Sequence, residues 1–315
     1  MELRQLRYFA RVADTLHFGR AADKEFVAQS VISAQIANLE KELGFRLFDR
    51  NSHRVSLTPA GEVFLVDVEH TLTVLGLAVD QARDVAAGRT KKLRVGVFGE
   101  GAGPLTHLIL SAFRAAEPDA DLHYVELTMT NQLSALADGE VDVALLRLPV
   151  SDERFTVEPL FAEPRVAVVP AGDELAAADS LVVGDLLDRP FAVAAAGTPS
   201  AWRSYWSFDA QRGERSRVGG EVRSILESLA TVAYGNAVDT FPSTAAVLFP
   251  HPGVSYVPLR DAEPSSLALV SDARPSSEDL INRFREVAAN IVDHYLHLVP
   301  GAVRLGPDGS AASEE

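Results

Sequence analysis

Residues 18–54 place the tightest limit on what this chain can fold into. The run FGRAADKEFVAQSVISAQIANLEKELGFRLFDRNSHR fits two short helices, about 20–25 and 29–43, joined by a turn of three or four residues. In the second, Ile32, Ile36, Leu39 and Leu43 recur at three- and four-residue intervals and form one apolar stripe. The opposite face carries Gln29, Ser30, Ser33, Ala34 and Ala37, all short or amide-bearing. Ala21 and Ala22 in the first helix allow a neighbour to cross closely. A steep pair whose second helix offers a short polar face is a helix-turn-helix. Such a helix fits the DNA major groove, where Gln pairs with adenine and Ser meets several base edges. The following run, GFRLFDRNSHRVSLTPAG, reads as a turn, a strand, a basic tip (Arg50, His53, Arg54) and a second strand, which makes a wing able to meet phosphates. A plain helical hairpin in a core has the same periodicity, so spacing alone leaves both readings open.

The next segment bears on that choice. Thr58-Pro59-Ala60-Gly61-Glu62 is a helix start: Thr58 as N-cap, Pro59 at the first helical position, and Glu62 where a capping-box acid stands. Leu65, Val68, Leu72, Leu75, Val79, Ala82 and Ala86 then alternate in steps of three and four, a heptad seam that Gly88 would stop. A helix of about 30 residues spans about 45 Å. Its seam is expected either to pair two copies of the chain or to be buried along its own domain. Residues 89–92 read as a polar hinge.

Beyond the hinge, strands and helices alternate. Strand patterns at 93–98, 122–127 and 141–146 are separated by helical patterns at 105–117 and 131–138. That order predicts a parallel sheet with helices on its faces. Further strand patterns lie at 157–161, 165–169, 190–195, 237–241, 254–258 and 267–270, with helices at 223–234 and 276–298, the last capped by Ser276 or Ser277. Residues 301–315, GAVRLGPDGSAASEE, are expected to be disordered.

Charge first argues against a nucleic-acid partner, because the 315 residues carry a net −15. Its distribution answers this. Residues 1–58 hold nine Lys and Arg against seven Asp and Glu, a net +2, leaving −17 for the rest. Binding would then depend on where the cations point and on pairing of two chains, while the acidic bulk discourages indiscriminate contact with DNA. Cysteine is absent, which rules out disulfides, thiolate metal sites and cysteine nucleophiles and suits a reducing cytoplasm. The N-terminal residues have no signal-peptide pattern, and no apolar run approaches the ~20 residues of a spanning helix. The eight His show no metal-ligand spacing, and no nucleophile elbow occurs. Catalytic residues, metals and cofactors are therefore expected to be none.

The motifs MELRQLRYFARVADTLHFGRAA, QSVISAQIANLEKELGFRLFDR and LTPAGEVFL together resemble the start of a LysR-type transcriptional regulator. They cover about the first quarter of the chain. The resemblance implies an N-terminal all-α winged helix-turn-helix with a long linker helix, then a C-terminal α/β periplasmic-binding-protein-like domain of two subdomains. The implied divisions are 1–58 for the DNA-binding domain, 59–90 for the dimerisation helix and hinge, and 91–300 for the regulatory domain. Within the last, subdomain one takes 91–163 and 268–299, and subdomain two takes 164–267. The implied function is a cytoplasmic, homodimeric or homotetrameric regulator of transcription. Its partners would be double-stranded DNA at a near-palindromic promoter site, a small-molecule effector in the cleft and, downstream, RNA polymerase. The alternatives are a solute-binding protein and an α/β enzyme without a regulatory role.

DNA contact falls on Gln29, Ser30, Ser33, Ala34, Arg50, His53 and Arg54. The sequence departs from the family at Ala28, where Ser caps the recognition helix, at Ser30, where Pro is usual, and at Glu25, where Leu is usual and Phe26 is a candidate to fill the space. Effector contact falls on strand ends, where open α/β sheets bind ligands. The first is Gly99-Glu100-Gly101, a near miss to a dinucleotide fingerprint. There Glu100 either faces a neutral or cationic ligand or simply faces solvent beside a helix dipole. The second is Thr128-Met129-Thr130, as ligand contacts or helix caps. Arg147 either reaches the cleft or pairs with a carboxylate. Thr198, Trp202, Phe241 and Pro242 complete the set, with Trp202 stacking on a ring or closing the core.

Overall fold

The computed structural model describes residues 1–50, 55–86, 91–273, 278–306 and 308–311. It divides into two compact units, Met1–Arg89 and Thr90–Glu315.

In the first unit, α1 (Leu3–Thr15), α2 (Phe18–Lys24) and α3 (Gln29–Leu43) precede a two-stranded wing, β1 (Phe48–Arg50) and β2 (Val55–Leu57), and α4 (Pro59–Ala86) follows. The α3 stripe is what makes this a unit. Ile32, Ile36 and Leu39 are fully buried against Phe9, Val12, Ala21 and Ala22. His17, which the sequence places in a turn, instead caps α2: its Nδ1 accepts the N–H groups of Gly19 and Arg20 at 3.1 and 3.2 Å. Thr58 Oγ1 accepts the Gly61 N–H at 2.9 Å at the start of α4. Gly61 itself packs so closely that a Cβ would overlap the Leu47 carbonyl.

Two expectations for this unit change. Phe26 does not fill the core: it is 94% exposed and its backbone is left-handed, with φ +56°. Reversing the chain between α2 and α3 turns residue 26 outward and Val27 inward, while Glu25 goes to the Arg11 guanidinium at 2.8 Å. An L-residue with a bulky side chain costs about 1–2 kcal/mol there. Phe26→Asn is expected to raise the stability of the N-terminal unit by about 1 kcal/mol, read by denaturant unfolding. A loss of stability would mean that the ring makes a contact worth more than the strain. The predicted seam of α4 also divides. Leu65, Val68 and Leu72 pack into their own unit, because α1 needs a partner along that face. Among the described residues of α4, Val63, Val66 and Val79 are exposed. Gly88 and the hinge residues Arg89 and Thr90 lie outside the described residues.

The second unit runs β3 (Lys92–Phe98), α5 (Pro104–Ala116), β4 (Asp121–Leu127), α6 (Ser134–Ala137), β5 (Val143–Arg147), β6 (Phe155–Glu163) and β7 (Arg165–Pro170). It continues with β8 (Phe191–Ala194), α7 (Ser200–Trp206), α8 (Asp209–Arg212), β9 (Val218–Val222), α9 (Ile225–Tyr234), β10 (Asp239–Pro242) and α10 (Ala245–Leu248). It closes with β11 (Val254–Pro258), β12 (Ser265–Asp272), α11 (Glu278–Tyr295) and β13 (Val303–Arg304). Two lobes result. The first holds a sheet of order β13-β6-β12-β5-β3-β4. It is parallel only where β3 meets β4 and β5. The remaining pairings are antiparallel because the chain leaves and re-enters this lobe through β6 and β12 without a crossover helix. Leu105, Ile109 and Phe113 of α5 and Ile281, Phe284 and Val292 of α11 cover one face, with Phe113 and Phe284 edge to face at 5.4 Å. In the second lobe, β7 lies between β10 and β11, and the β8–β9 pair joins them through a bridge from Phe191 to Val238. Ser276 and Ser277, the expected caps of α11, lie outside the described residues.

The tail is a correction. Residues after Pro300 read as disordered because they are polar and rich in glycine. Instead Val303 and Arg304 pair with Ala162 and Phe161, and Leu305 is buried. Arg304 anchors the strand by donating to Asp293 at 2.7 Å and to the Leu160 carbonyl. An open edge of β6 is available there, and a short strand needs only two ladder residues and one buried side chain to occupy it.

Candidate functional site

The two units carry separate candidate sites. In the first, Gln29, Ser30 and Ala34 are exposed on α3 and Ser33 is half-buried, opposite the buried stripe. The side chains of Gln29, Ser30 and Ser33 make no hydrogen bond within the chain among the described residues. Ala28 stands at the N-cap with no side-chain bond, so the first turn of α3 keeps free N–H groups. Val31, on the same end of the helix, is 40% exposed. Of the wing, the Arg50 side chain and all of His53 and Arg54 lie outside the described residues.

In the second unit the ends of β3, β5, β8 and β10 open on one cavity between the lobes, of about 70 Å³. Its walls include five aromatic rings, Phe98, Trp202, Trp206, Phe241 and Phe249. Of the sequence-predicted effector residues, Glu100, Gly101, Met129, Arg147, Trp202, Phe241 and Pro242 line it. Gly99, Thr128, Thr130 and Thr198 do not. Gly99 is a turn residue at φ +58°, where a Cβ would press on Ile225. Thr128 caps its own loop, with its N–H and Oγ1 both on Asn131 Oδ1 at 2.7 and 3.0 Å. Thr130 faces Gly197, away from the cavity lining. Thr198 is buried, and its hydroxyl has no hydrogen-bond partner among the described residues.

Both readings of Arg147 meet. It lines the cavity, yet its Nη2 donates to Glu163 Oε1 at 2.5 Å and to the Gly101 carbonyl at 3.0 Å. Its Nη1 donates to the Ser265 carbonyl and hydroxyl, both at 3.3 Å. Glu163, fully buried at the end of β6, spends its other oxygen on the second lobe, accepting from Ser243 Oγ at 3.0 Å and the Thr244 N–H at 2.9 Å. Trp202 likewise serves both roles: its Nε1 donates to the Arg147 carbonyl at 3.1 Å and its ring meets Phe98 and Trp206. Glu100 is exposed at the rim.

Sequence reasoning missed Trp206, Arg203, Asp239 and Thr240, which also line the cavity. Burial pushes the Asp239 carboxyl up to about 7, against hydrogen bonds from Ser228 and the Thr240 N–H and the nearby Arg165 that favour ionisation. Arg165 is caged by the rings of Tyr205, Trp206 and Phe208, and burial lowers its pKa. A raised carboxyl pKa means that the folded state holds a proton the unfolded state has released. Stability from this group is therefore greatest below about pH 4 and falls as pH rises towards about 7. Asp239→Asn is expected to flatten that fall, measured as unfolding free energy between pH 4 and 8. An unchanged pH slope would show that Asp239 is ionised throughout. Among the described residues no cluster of metal-ligating side chains occurs, and no helix is long and apolar enough to cross a membrane.

Comparison with known proteins places both units. Residues 3–62 match the bacterial regulatory helix-turn-helix proteins of the lysR family, and residues 86–291 match the LysR substrate binding domain. The chain is similar to the HTH-type transcriptional regulator AlsR of Bacillus subtilis, 30% identical over 250 residues that cover 79% of this chain and 83% of AlsR. BenM of Acinetobacter baylyi, another HTH-type transcriptional regulator, is 31% identical over 268 residues, covering 84% and 87%. The crystal structure of full-length BenM matches with a TM-score of 0.54 at 28% identity, covering 93% of this chain and 97% of that one. That of CbnR, a LysR family transcriptional regulator, shares the fold with a TM-score of 0.65 at 24% identity, covering 92% and 99%. With a reading helix at one end of the sequence and a two-lobed ligand domain in the rest, this chain belongs to the LysR family of helix-turn-helix transcriptional regulators.

Proposed function

We propose that the chain is a cytoplasmic homo-oligomer, a dimer or tetramer, that reads a near-palindromic promoter site and answers to a small molecule held in the cleft. Residues 1–58 form the reading head, 59–90 the pairing helix and 91 onward the sensor. Gln29, Ser30 and Ser33 meet base edges, Ala34 allows the helix to sit close, and Arg50, His53 and Arg54 hold phosphates. Val63, Val66 and Val79, exposed on α4, are apolar residues that a second copy would cover. Two heads held this way would face successive major grooves. The sensor does no chemistry on its ligand; it shifts the pose of its lobes, and RNA polymerase is the downstream partner.

The observation that carries this reading is the polar N-terminal end of α3, exposed and without side-chain hydrogen bonds among the described residues, on a helix whose other face buries Ile32, Ile36 and Leu39. A gel shift on the DNA upstream of the protein's own coding region tests it. Gln29→Ala and Ser33→Ala are each expected to weaken operator binding by about 1–3 kcal/mol, with binding to unrelated DNA unchanged. Equal affinity of wild type and the double variant for the operator would refute the assignment.

A further inference from the structure

The turn that ends α2 fixes one bulky side chain in the open. The Val27 N–H donates to the Ala22 carbonyl at 3.1 Å and the Phe26 N–H to the Asp23 carbonyl at 3.3 Å. Together these bonds make a Schellman motif, whose left-handed residue is usually glycine because a Cβ is strained there. In this chain that residue is Phe26, at φ +56°. Ala22 and Val27 pack into the core of the unit, whereas Phe26 is 94% exposed. Packing within the chain therefore does little to offset the strain. Strain kept for a side chain that touches almost nothing is a sign of use outside the chain. Its place in the fold says where. Phe26 lies two residues before Ala28, the N-cap of α3. Ala28, Gln29, Ser30 and Val31 are all exposed. At 3.6 residues per turn, four consecutive side chains go right round a helix, so this end of α3 projects from the unit instead of lying on it. A recognition helix meets base edges with its N-terminal residues. Phe26 adjoins that end, and its ring can neither donate nor accept a hydrogen bond in the ordinary sense. On the major-groove edges of the base pairs, the apolar group is the C5-methyl of thymine.

Resting on the reading of α3 as the helix that reads DNA, we propose that Phe26 is a further specificity residue, whose ring packs on the C5-methyl of one thymine in each half-site. The strained turn holds the ring out before DNA arrives, so no rearrangement is needed to make the contact. A position that favours Gly or Asn also tolerates removal of the ring without loss of the fold, which makes the contact testable apart from stability.

The experiment uses the full-length protein and a duplex that it selects from random-sequence DNA. Single thymines of that duplex are replaced by deoxyuridine, which removes the methyl and leaves base pairing and the hydrogen-bonding edge unchanged. In the wild type, one thymine per half-site is expected to cost about four-fold in affinity when replaced, the worth of one buried methyl group. Phe26→Gly should bind the unmodified duplex at least ten-fold more weakly, since it loses the contact in both half-sites, and should show no further loss at those thymines. Any thymine read by Val31 or Ala34 keeps its sensitivity in that variant. Phe26→Asn, checked for folding by denaturant unfolding, should behave the same way. Equal affinity of wild type and Phe26→Gly, with Gln29→Ala weakened, overturns the role of Phe26 and leaves α3 as the reading helix. Indifference to both Phe26→Gly and Gln29→Ala overturns the reading helix as well. A weakened Phe26→Gly that keeps the whole deoxyuridine pattern of the wild type overturns the methyl contact. Light scattering then tells whether the ring serves the sugar–phosphate backbone, with the oligomer unchanged, or a second copy of the chain, with the oligomer altered.

Discussion

Glu163→Ala destabilises the ligand-binding unit by about 3–5 kcal/mol, the cost of leaving a buried charge without its partner. Three groups lose their acceptor at once: the Arg147 guanidinium at 2.5 Å, the Ser243 hydroxyl and the Thr244 N–H. The side chain of Arg147 is only 6% exposed, so water can replace the lost partner only in part. Arg147→Ala leaves Glu163 in the complementary position and is expected to cost a similar amount. The double replacement Arg147→Met with Glu163→Leu is expected to cost clearly less than the two single losses added together, because it removes both charges and refills their volume. Denaturant unfolding of all three variants checks this. An additive double variant, or a single loss under about 1 kcal/mol, would show that the pair is wet and weakly coupled. Since Glu163 also holds Ser243 and Thr244 of the other lobe, the same variants should loosen the cleft, visible as faster amide exchange at Thr244.

Phe9→Ala is expected to cost the N-terminal unit about 3–5 kcal/mol. Phe9 is fully buried, with its ring 5.4 Å from Phe48 and 5.6 Å from Phe64, and Phe48 in turn meets Phe18 at 5.8 Å. One side chain thus joins α1, α2, the wing and α4. A small unit has little stability to spare, so operator binding should be lost while the C-terminal unit keeps its own thermal transition. Calorimetry beside a gel shift reads both. Retained operator affinity in a variant with an unchanged melting profile would show that the aromatic cluster has re-packed around the gap.

Much of the fold could be read from local pattern. The stripe Ile32, Ile36, Leu39 marked the buried face of α3, because a 3.6-residue period has one way to hide three apolar side chains at this spacing. Thr58 before Pro59 marked the start of α4 for a similarly local reason. Patterns were less informative where two buried surfaces competed. The heptad spacing of α4 predicts a single stripe, yet Leu65, Val68 and Leu72 pack into their own unit and Val63 and Val66 stay exposed. The hydrophobicity of Phe26 predicts a core side chain, whereas the left-handed turn decides its direction.

The cleft shows the same division at longer range. Strand-end positions such as Glu100, Met129 and Arg147 are visible in sequence, since alternation of strand and helix locates the carboxyl edge of a sheet. Trp206, Asp239 and Glu163 carried no signal of their own: they are separated by tens of residues and become a site only when β6, α7 and β10 converge. The same holds for which charge is free, since Arg147 is a potential ligand in the sequence and a committed partner of Glu163 in the folded chain. Periodicity by itself determined the two short helices and their turn, the long helix and the alternating α/β body, because each follows from neighbours within a few residues; that the short pair is a helix-turn-helix came from the motifs shared with LysR-type regulators, not from spacing. Tertiary structure alone decided the mixed sheet, the ordered tail and the chemistry of the cleft, because those depend on which distant surfaces meet and which polar groups remain unpaired once they do.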